Sequence, residues 1–360
     1  QDLIREVDNG AKRLVKRLYE IYEGIFKDDL KANDITIENS SNLNKEQKEY
    51  VHEYFETILY PIMTPLGVDP GHPFPVLPSR TMAFAVYIQT KEKECLAVLP
   101  IPKNIPRILK LPSNGDQHVF ILIEDVIRAH VDKFFTGYKI SELACFRVIR
   151  DSEIIVAEEF APDLLKAIEG EVSKRNLAKV IYLETEENCG EGLLKLMCAG
   201  LDFEQKHVIR ISSHFDLSFL FEMIRNIDNP NFFFPGYVPG KIEYEDIFDR
   251  IKEKDFILHY PYQSFDPTID LIRSAARDKN VLAIKMTLYR TNRDSAIVEA
   301  LKEAAMNNKQ VTVLVEIKAR FDEENNIRWA KELETVGCHV IYGIPGLKVH
   351  SKMTLIVRKE

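Results

Sequence analysis

Lys348, His350 and Lys352 occupy alternate positions of the segment Lys-Val-His-Ser-Lys near the end of the chain. If that segment is extended, all three side chains share one face. Arg290 directly follows the apolar run 281–289, and Arg320 lies three residues beyond the run 311–317. Such a set suits phosphate. Guanidinium groups make bidentate, permanently charged contacts to phosphate oxygens, and lysine supplies a compact point charge. A histidine near its ordinary pKa of about 6.5 is partly neutral at pH 7, so a ring nitrogen can act as nucleophile. Phosphoryl transfer depends chiefly on positioning and charge stabilisation, which these five side chains would supply together.

Taken singly, each residue has a plainer explanation. A lone histidine is more often a hydrogen-bonded surface or core residue. Arg290 and Arg320 read equally well as cap or salt-bridge partners, and Asp322, Glu323 and Glu324 are close enough in sequence to neutralise Arg320. The acidic run reads better as a solvated helix start than as a metal site. His339 opens an apolar run and reads as structural, and His259 reads as either a packing residue or one facing the site. Only the convergence of the five carries chemistry. Other chemistries lack their motifs: the chain has no GxxxxGK[ST], no GxGxxG after a strand, no GxSxG and no HExxH.

The elements around these residues give the convergence a basis. After residue 241 the pattern alternates: helix 266–277, strand 281–289, helix 294–307, strand 311–317, helix 325–336, strand 339–344, a Pro345-Gly346 turn and strand 352–358. Alternation of this kind predicts βαβ units and a mainly parallel sheet, and near-continuous apolar strands predict one covered on both faces. Ligands of open α/β sheets bind beyond the carboxyl ends of the strands, where Arg290, Arg320 and His350 all fall. Earlier, apolar spacing of three and four predicts helices over 1–28 and 45–60, and residues 33–44 read as a loop or domain edge. Five prolines within 64–79 exclude helix there. Strands at 81–88, 95–99, 118–123, 145–150 and 180–183, with helices at 124–134, 161–175, 190–200 and 216–226, predict an α+β domain to about residue 235. The aromatic run 231–240, broken by Pro-Gly, marks a boundary, with a packed linker favoured over an aromatic binding patch.

A chain of 360 residues exceeds one ordinary core. The 29% of charged residues is normal for a globular protein, and the net charge of -8 argues against a general nucleic-acid partner. The acidic excess lies before about residue 240, which leaves room for a cationic pocket later. Five cysteines without a CxxC pair argue against a disulfide framework or a structural zinc. With no apolar run of membrane-spanning length and no leader pattern, the expectation is a cytoplasmic protein, peripheral membrane association being the alternative. Both ends read as cut from a longer polypeptide.

Several blocks resemble the polyphosphate kinase family of the histidine-phosphorylating type. They are Tyr260-Pro-Tyr-Gln-Ser-Phe265, Val281-Leu-Ala-Ile-Lys285, Leu288-Tyr-Arg-Thr291, Asp294-Ser295, Lys309-Gln-Val-Thr-Val-Leu-Val-Glu316, Ala319-Arg-Phe-Asp-Glu-Glu-Asn325 and Pro345-Gly-Leu-Lys-Val-His-Ser-Lys352. Thr64-Pro-Leu-Gly-Val-Asp-Pro70 and Phe146-Arg-Val-Ile-Arg-Asp151 are similar too. The resemblance implies reversible transfer of the terminal phosphate of ATP to inorganic polyphosphate, with Mg²⁺, by a homodimer or homotetramer. His350 would match the family's phosphohistidine, with Lys352 stabilising phosphate charge. Lys348 would add a phosphate contact, and Arg290 and Arg320 would match phosphate and Mg²⁺ site residues acting through phosphate. The implied fold class is multidomain α+β and α/β. Residues 1–40 end a helical N-terminal domain, 41–238 form an α+β head used in dimerisation, and 239–360 form part of a first phospholipase-D-like catalytic domain. Adenine contacts and a second active-site histidine fall outside the chain, so these residues alone are expected to be inactive. The phospholipase D pattern places Asp five positions after its Lys, where this chain has Val357. That departure disfavours the alternative of a phosphodiesterase or nuclease. A non-catalytic polyanion-binding or oligomerisation fragment is the remaining alternative.

Overall fold

A computed structural model describes residues 2–69, 71–89, 94–153, 163–291, 295–319, 322–344 and 346–360. The chain divides into two compact units, residues 1–152 with 175–232, and residues 153–174 with 233–360.

The first unit opens with helix α1 (Asp2–Gly24), which continues into a wider π-helical turn. Strand β1 (Ile35–Glu38) follows, within the stretch whose polar sequence reads as loop. Helix α2 (Lys45–Tyr54) starts at a reciprocal cap: the Asn44 side chain accepts from the Gln47 amide and the Gln47 side chain from the Asn44 amide. Strands β2 (Leu66–Val68), β3 (Met82–Gln89), β4 (Glu94–Pro100), β5 (Ile108–Lys110) and β6 (His118–Leu122) come next, then α3 (Ile123–Ala129) and β7 (Lys139–Arg150). Helix α4 (Leu164–Lys174) interrupts this unit in sequence but belongs to the other. Strand β8 (Val180–Glu186), helix α5 (Glu191–Gly200), strand β9 (Val208–Ile211) and helix α6 (Phe219–Arg225) complete the unit. Its main sheet runs β2-β4-β3-β7-β8-β9, antiparallel except for the last pair, and a smaller sheet runs β1-β6-β5. β3 is buried on both faces because two cores flank it. Phe84 and Val86 join the core with α1, α2 and α6, while Ala83 and Ala85 join the one with α5.

The second unit contains α4, α7 (Ile247–Glu253), α8 (Asp266–Arg277), β10 (Val281–Leu288), α9 (Ala296–Met306), β11 (Gln310–Val315), α10 (Glu323–Thr335), β12 (His339–Ile341) and β13 (Thr354–Arg358). Asp246 caps α7 by accepting from the Phe248 and Asp249 amides, and Ser295 caps α9. The sheet order is β12-β11-β10-β13, parallel except for β13. Ile284, Leu288, Val311, Val313, Val315 and Val340 share one core with α4, α8, α9 and α10. Coverage of both faces is not what the described residues form: on the opposite face Ile341, Leu355 and Val357 are exposed. The strands read as continuously apolar because residues of that open face are apolar too. Among the described residues no helix is long and apolar enough to cross a membrane.

Candidate active site

The carboxyl ends of β10 and β11 meet the start of β13 at one edge of the sheet. β13 runs antiparallel to β10, with Thr354 opposite Met286, so the segment leading into it lies where β10 ends. Thr287 fastens that segment: its amide donates to the Met353 carbonyl (3.0 Å), its hydroxyl donates to the Ser351 carbonyl (2.7 Å), and the Met353 amide donates to the same hydroxyl (2.9 Å).

A second fastening comes from Glu316, immediately after β11. Its side chain is 3% exposed, and its carboxylate accepts from the Val349 amide (2.8 Å) and the Lys318 amide (3.0 Å). A buried carboxylate needs such donors to offset the loss of water. Asn326, also buried, donates from its side-chain amide to the carbonyls of Tyr289 and Glu316, each at 2.8 Å. The first turn of α10 thereby joins the ends of β10 and β11. With Val349 held inward, its neighbours Lys348 and His350 are exposed.

Tyr289 stands at the centre of the side chains that result. The His350 ring meets it at 75°, with centroids 5.5 Å apart. The Lys352 ammonium lies 4.7 Å from the Tyr289 ring centroid and the Arg290 guanidinium carbon 5.4 Å from it. Lys352 also donates to the His350 carbonyl at 2.6 Å, and Arg290 pairs with Asp322 at 2.5 Å. The His350 imidazole has no hydrogen-bond partner among the described residues.

Of the five residues expected from sequence to bind phosphate, the structure brings His350, Lys352 and Arg290 around one ring. Lys348 is exposed one residue before buried Val349. Arg320 lies outside the described residues, as do Asp294 and Pro345 of the resembling blocks. The acidic run at the start of α10 is mixed rather than uniformly solvated: Glu324 is exposed, Glu323 is buried, and Asp322 neutralises Arg290. His259 is exposed and its ring packs on Tyr262 (4.9 Å), and His339 is exposed at the start of β12. Sequence reasoning missed Tyr289, Glu316, Asn326 and Thr287. The available signal was position, because Tyr289 and Glu316 directly follow the two strands whose ends frame the site.

Among the described residues no group of three or more His, Cys, Asp or Glu side chains is arranged to hold a metal ion. The cations gathered at Tyr289 are not metal ligands, so the described residues of this edge do not fit a protein-held Mg²⁺. A cleft of about 520 Å³ between α1 and β9 is lined entirely by first-unit residues, among them Lys12, Lys16, Glu20, Glu23 and Arg210. Its opposite charges are interleaved, unlike the cationic edge at His350.

Fold and site together describe a multidomain mixed α/β protein with a cationic, histidine-bearing edge on its second sheet. Two family models match it: Polyphosphate kinase middle domain over residues 46–223, and Polyphosphate kinase C-terminal domain 1 over residues 246–360. The chain belongs to the polyphosphate kinase family. It is similar to the polyphosphate kinase of Bacillus anthracis, 42% identical over 332 residues (89% of this chain and 47% of that protein). The Lactiplantibacillus plantarum polyphosphate kinase is 40% identical over 366 residues, covering 100% of this chain and 51% of that protein. The crystal structure of polyphosphate kinase from Porphyromonas gingivalis superposes with a TM-score of 0.74 at 24% identity, over 99% of this chain and 53% of that one, a likeness of fold. The chain thus spans about half the length of the curated relatives it matches.

Proposed function

We propose that this chain carries the phosphoryl-accepting histidine of an ATP–polyphosphate phosphotransferase. One observation carries the reading: an exposed imidazole without a hydrogen-bond partner among the described residues, beside one aromatic ring that also holds two cations. In the forward reaction a ring nitrogen of His350 attacks the γ-phosphorus of ATP. An N–P bond forms, the O–P bond to the β-phosphate breaks, and ADP leaves with the bonding pair. The terminal oxygen of polyphosphate then attacks the phosphohistidine, and the chain grows by one phosphate as the N–P bond breaks. Lys352 and Arg290 offset the charge gathered on the transferring oxygens, and Lys348 and Arg320 add phosphate contacts.

No step is assigned to Mg²⁺, which the family resemblance associates with the nucleotide phosphates. In the domain reading, residues 1–40 close a helical N-terminal domain, 41–238 form a head through which copies of the protein associate as dimers or tetramers, apart from α4, which packs in the second unit's core, and 239–360 belong to the first catalytic domain. Exchange with ATP and ADP suits a cytoplasmic setting.

The test uses the full-length protein with γ-labelled ATP and Mg²⁺. An acid-labile, alkali-stable label is expected, and it should disappear in His350→Ala. Retention of the same label by that variant would refute the assignment. Hydrolysis of a phosphodiester without ATP would instead favour the phosphodiesterase alternative.

A further inference from the structure

We infer that Tyr289 is a positioning residue whose aromatic ring, rather than its hydroxyl, sets the orientation of His350 and holds Lys352 beside it. This inference rests on the reading of His350 as the phosphoryl acceptor.

The backbone around His350 is fixed on both sides, by Glu316 at Val349 and by Thr287 at Ser351 and Met353. The imidazole itself is not. It is exposed and has no hydrogen bond among the described residues, so backbone fastening leaves its two side-chain torsions open. In-line attack requires a ring nitrogen aimed at phosphorus from about 3–3.5 Å, a geometry that free rotation would rarely present. The described ring contact of His350 is the one with Tyr289, at 75° and 5.5 Å, an arrangement that aromatic pairs favour.

The same ring organises charge. Lys352 lies 4.7 Å from its centroid, within the range where an ammonium is attracted to an aromatic quadrupole. Arg290 lies at 5.4 Å. Tyr289 is placed firmly enough for this role, because its carbonyl accepts from buried Asn326 (2.8 Å) and it directly follows β10. Its hydroxyl has no partner among the described residues, which is why the ring is assigned the function.

The experiment compares full-length wild type, Tyr289→Leu, Tyr289→Phe, Lys352→Ala and the Tyr289→Leu/Lys352→Ala double variant. The readouts are the single-turnover rate of histidine labelling from γ-labelled ATP and the melting temperature. Tyr289→Leu should slow labelling about tenfold or more, the loss of one aromatic pair and one cation contact. Tyr289→Phe should recover most of that rate. The double variant should lose less than the product of the single losses, since Tyr289 acts partly through Lys352. Wild-type labelling in Tyr289→Leu overturns the inference, and so does a Tyr289→Phe variant that loses more than about fivefold, which would assign the hydroxyl. Should Tyr289→Leu fail to fold, Tyr289→Met takes its place, and wild-type labelling in that variant overturns the inference. Absence of label in the wild type, or its persistence in His350→Ala, removes the phosphohistidine reading and the platform with it. A labelled wild type with an indifferent Tyr289→Leu removes only the platform.

Discussion

Glu316→Gln keeps the volume of a buried side chain but turns one of its two acceptor oxygens into a donor. In the native protein both oxygens are used, one by the Val349 amide at 2.8 Å and the other by the Lys318 amide at 3.0 Å. Hydrogen bonds to a charged acceptor contribute about 1.5–3 kcal/mol each, and an unpaired buried amide costs about 1–3 kcal/mol. The substitution loses the charge at both contacts and leaves one amide facing a donor, so the segment before His350 should be destabilised by about 2–4 kcal/mol. At 1.4 kcal/mol per tenfold, the Val349 amide should exchange hydrogen at least about 30-fold faster. Hydrogen exchange on peptides covering 346–353 checks this, with peptides from the first unit as internal reference. Unchanged protection at Val349, with a folded second unit, would show that Glu316 does not hold this segment. Labelling of His350 should slow in the same variant, because a nucleophile displaced by about 1 Å loses much of its advantage.

Two further predictions concern pH. Burial, with the neighbouring Glu124 charge, pushes the Asp125 carboxyl up to about 7. Its folded-state pKa therefore exceeds its unfolded value near 4, and the folded state binds the extra proton between them. Stability of the first unit should fall as pH rises from about 4 to 7, and Asp125→Asn should flatten that fall and stabilise at pH 8 by up to about 3–4 kcal/mol, read from denaturant unfolding at several pH values. A variant with the wild-type pH slope would refute this. Asp278 has the opposite sign: its hydrogen bond from Arg358 (2.6 Å), helped by the Asn280 amide, holds its carboxyl below the usual range. Its contribution is present above pH 4 or so and is lost as pH falls through the folded value. Asp278→Asn should thus loosen the end of β13 at neutral pH and make second-unit melting less sensitive to acid. Equal acid sensitivity in the two proteins would count against the pairing.

The sequence by itself determined the local order of the second unit and where its chemistry had to fall. Val311, Val313 and Val315 alternate on one face of β11, amphipathic helices separate the strands, and a Pro-Gly turn precedes His350, so strand ends carrying Arg290 and His350 were readable from period and punctuation. Short strands were not. β1, β5 and β9 span only three or four residues, too few for a period, and they exist because a partner strand supplies their hydrogen bonds. Nor did chain order reveal that α4, flanked in sequence by first-unit strands, buries Leu165, Ile168 and Val172 in the second unit's core. The site divides in the same way. Residue type and spacing picked out His350, Lys352 and Arg290, since charge and nucleophilicity belong to single residues. Their meeting around Tyr289, the capture of the Val349 amide by Glu316 and the antiparallel return of β13 join residues tens of positions apart. Only the folded sheet edge brings those groups within hydrogen-bonding and ring-contact distance.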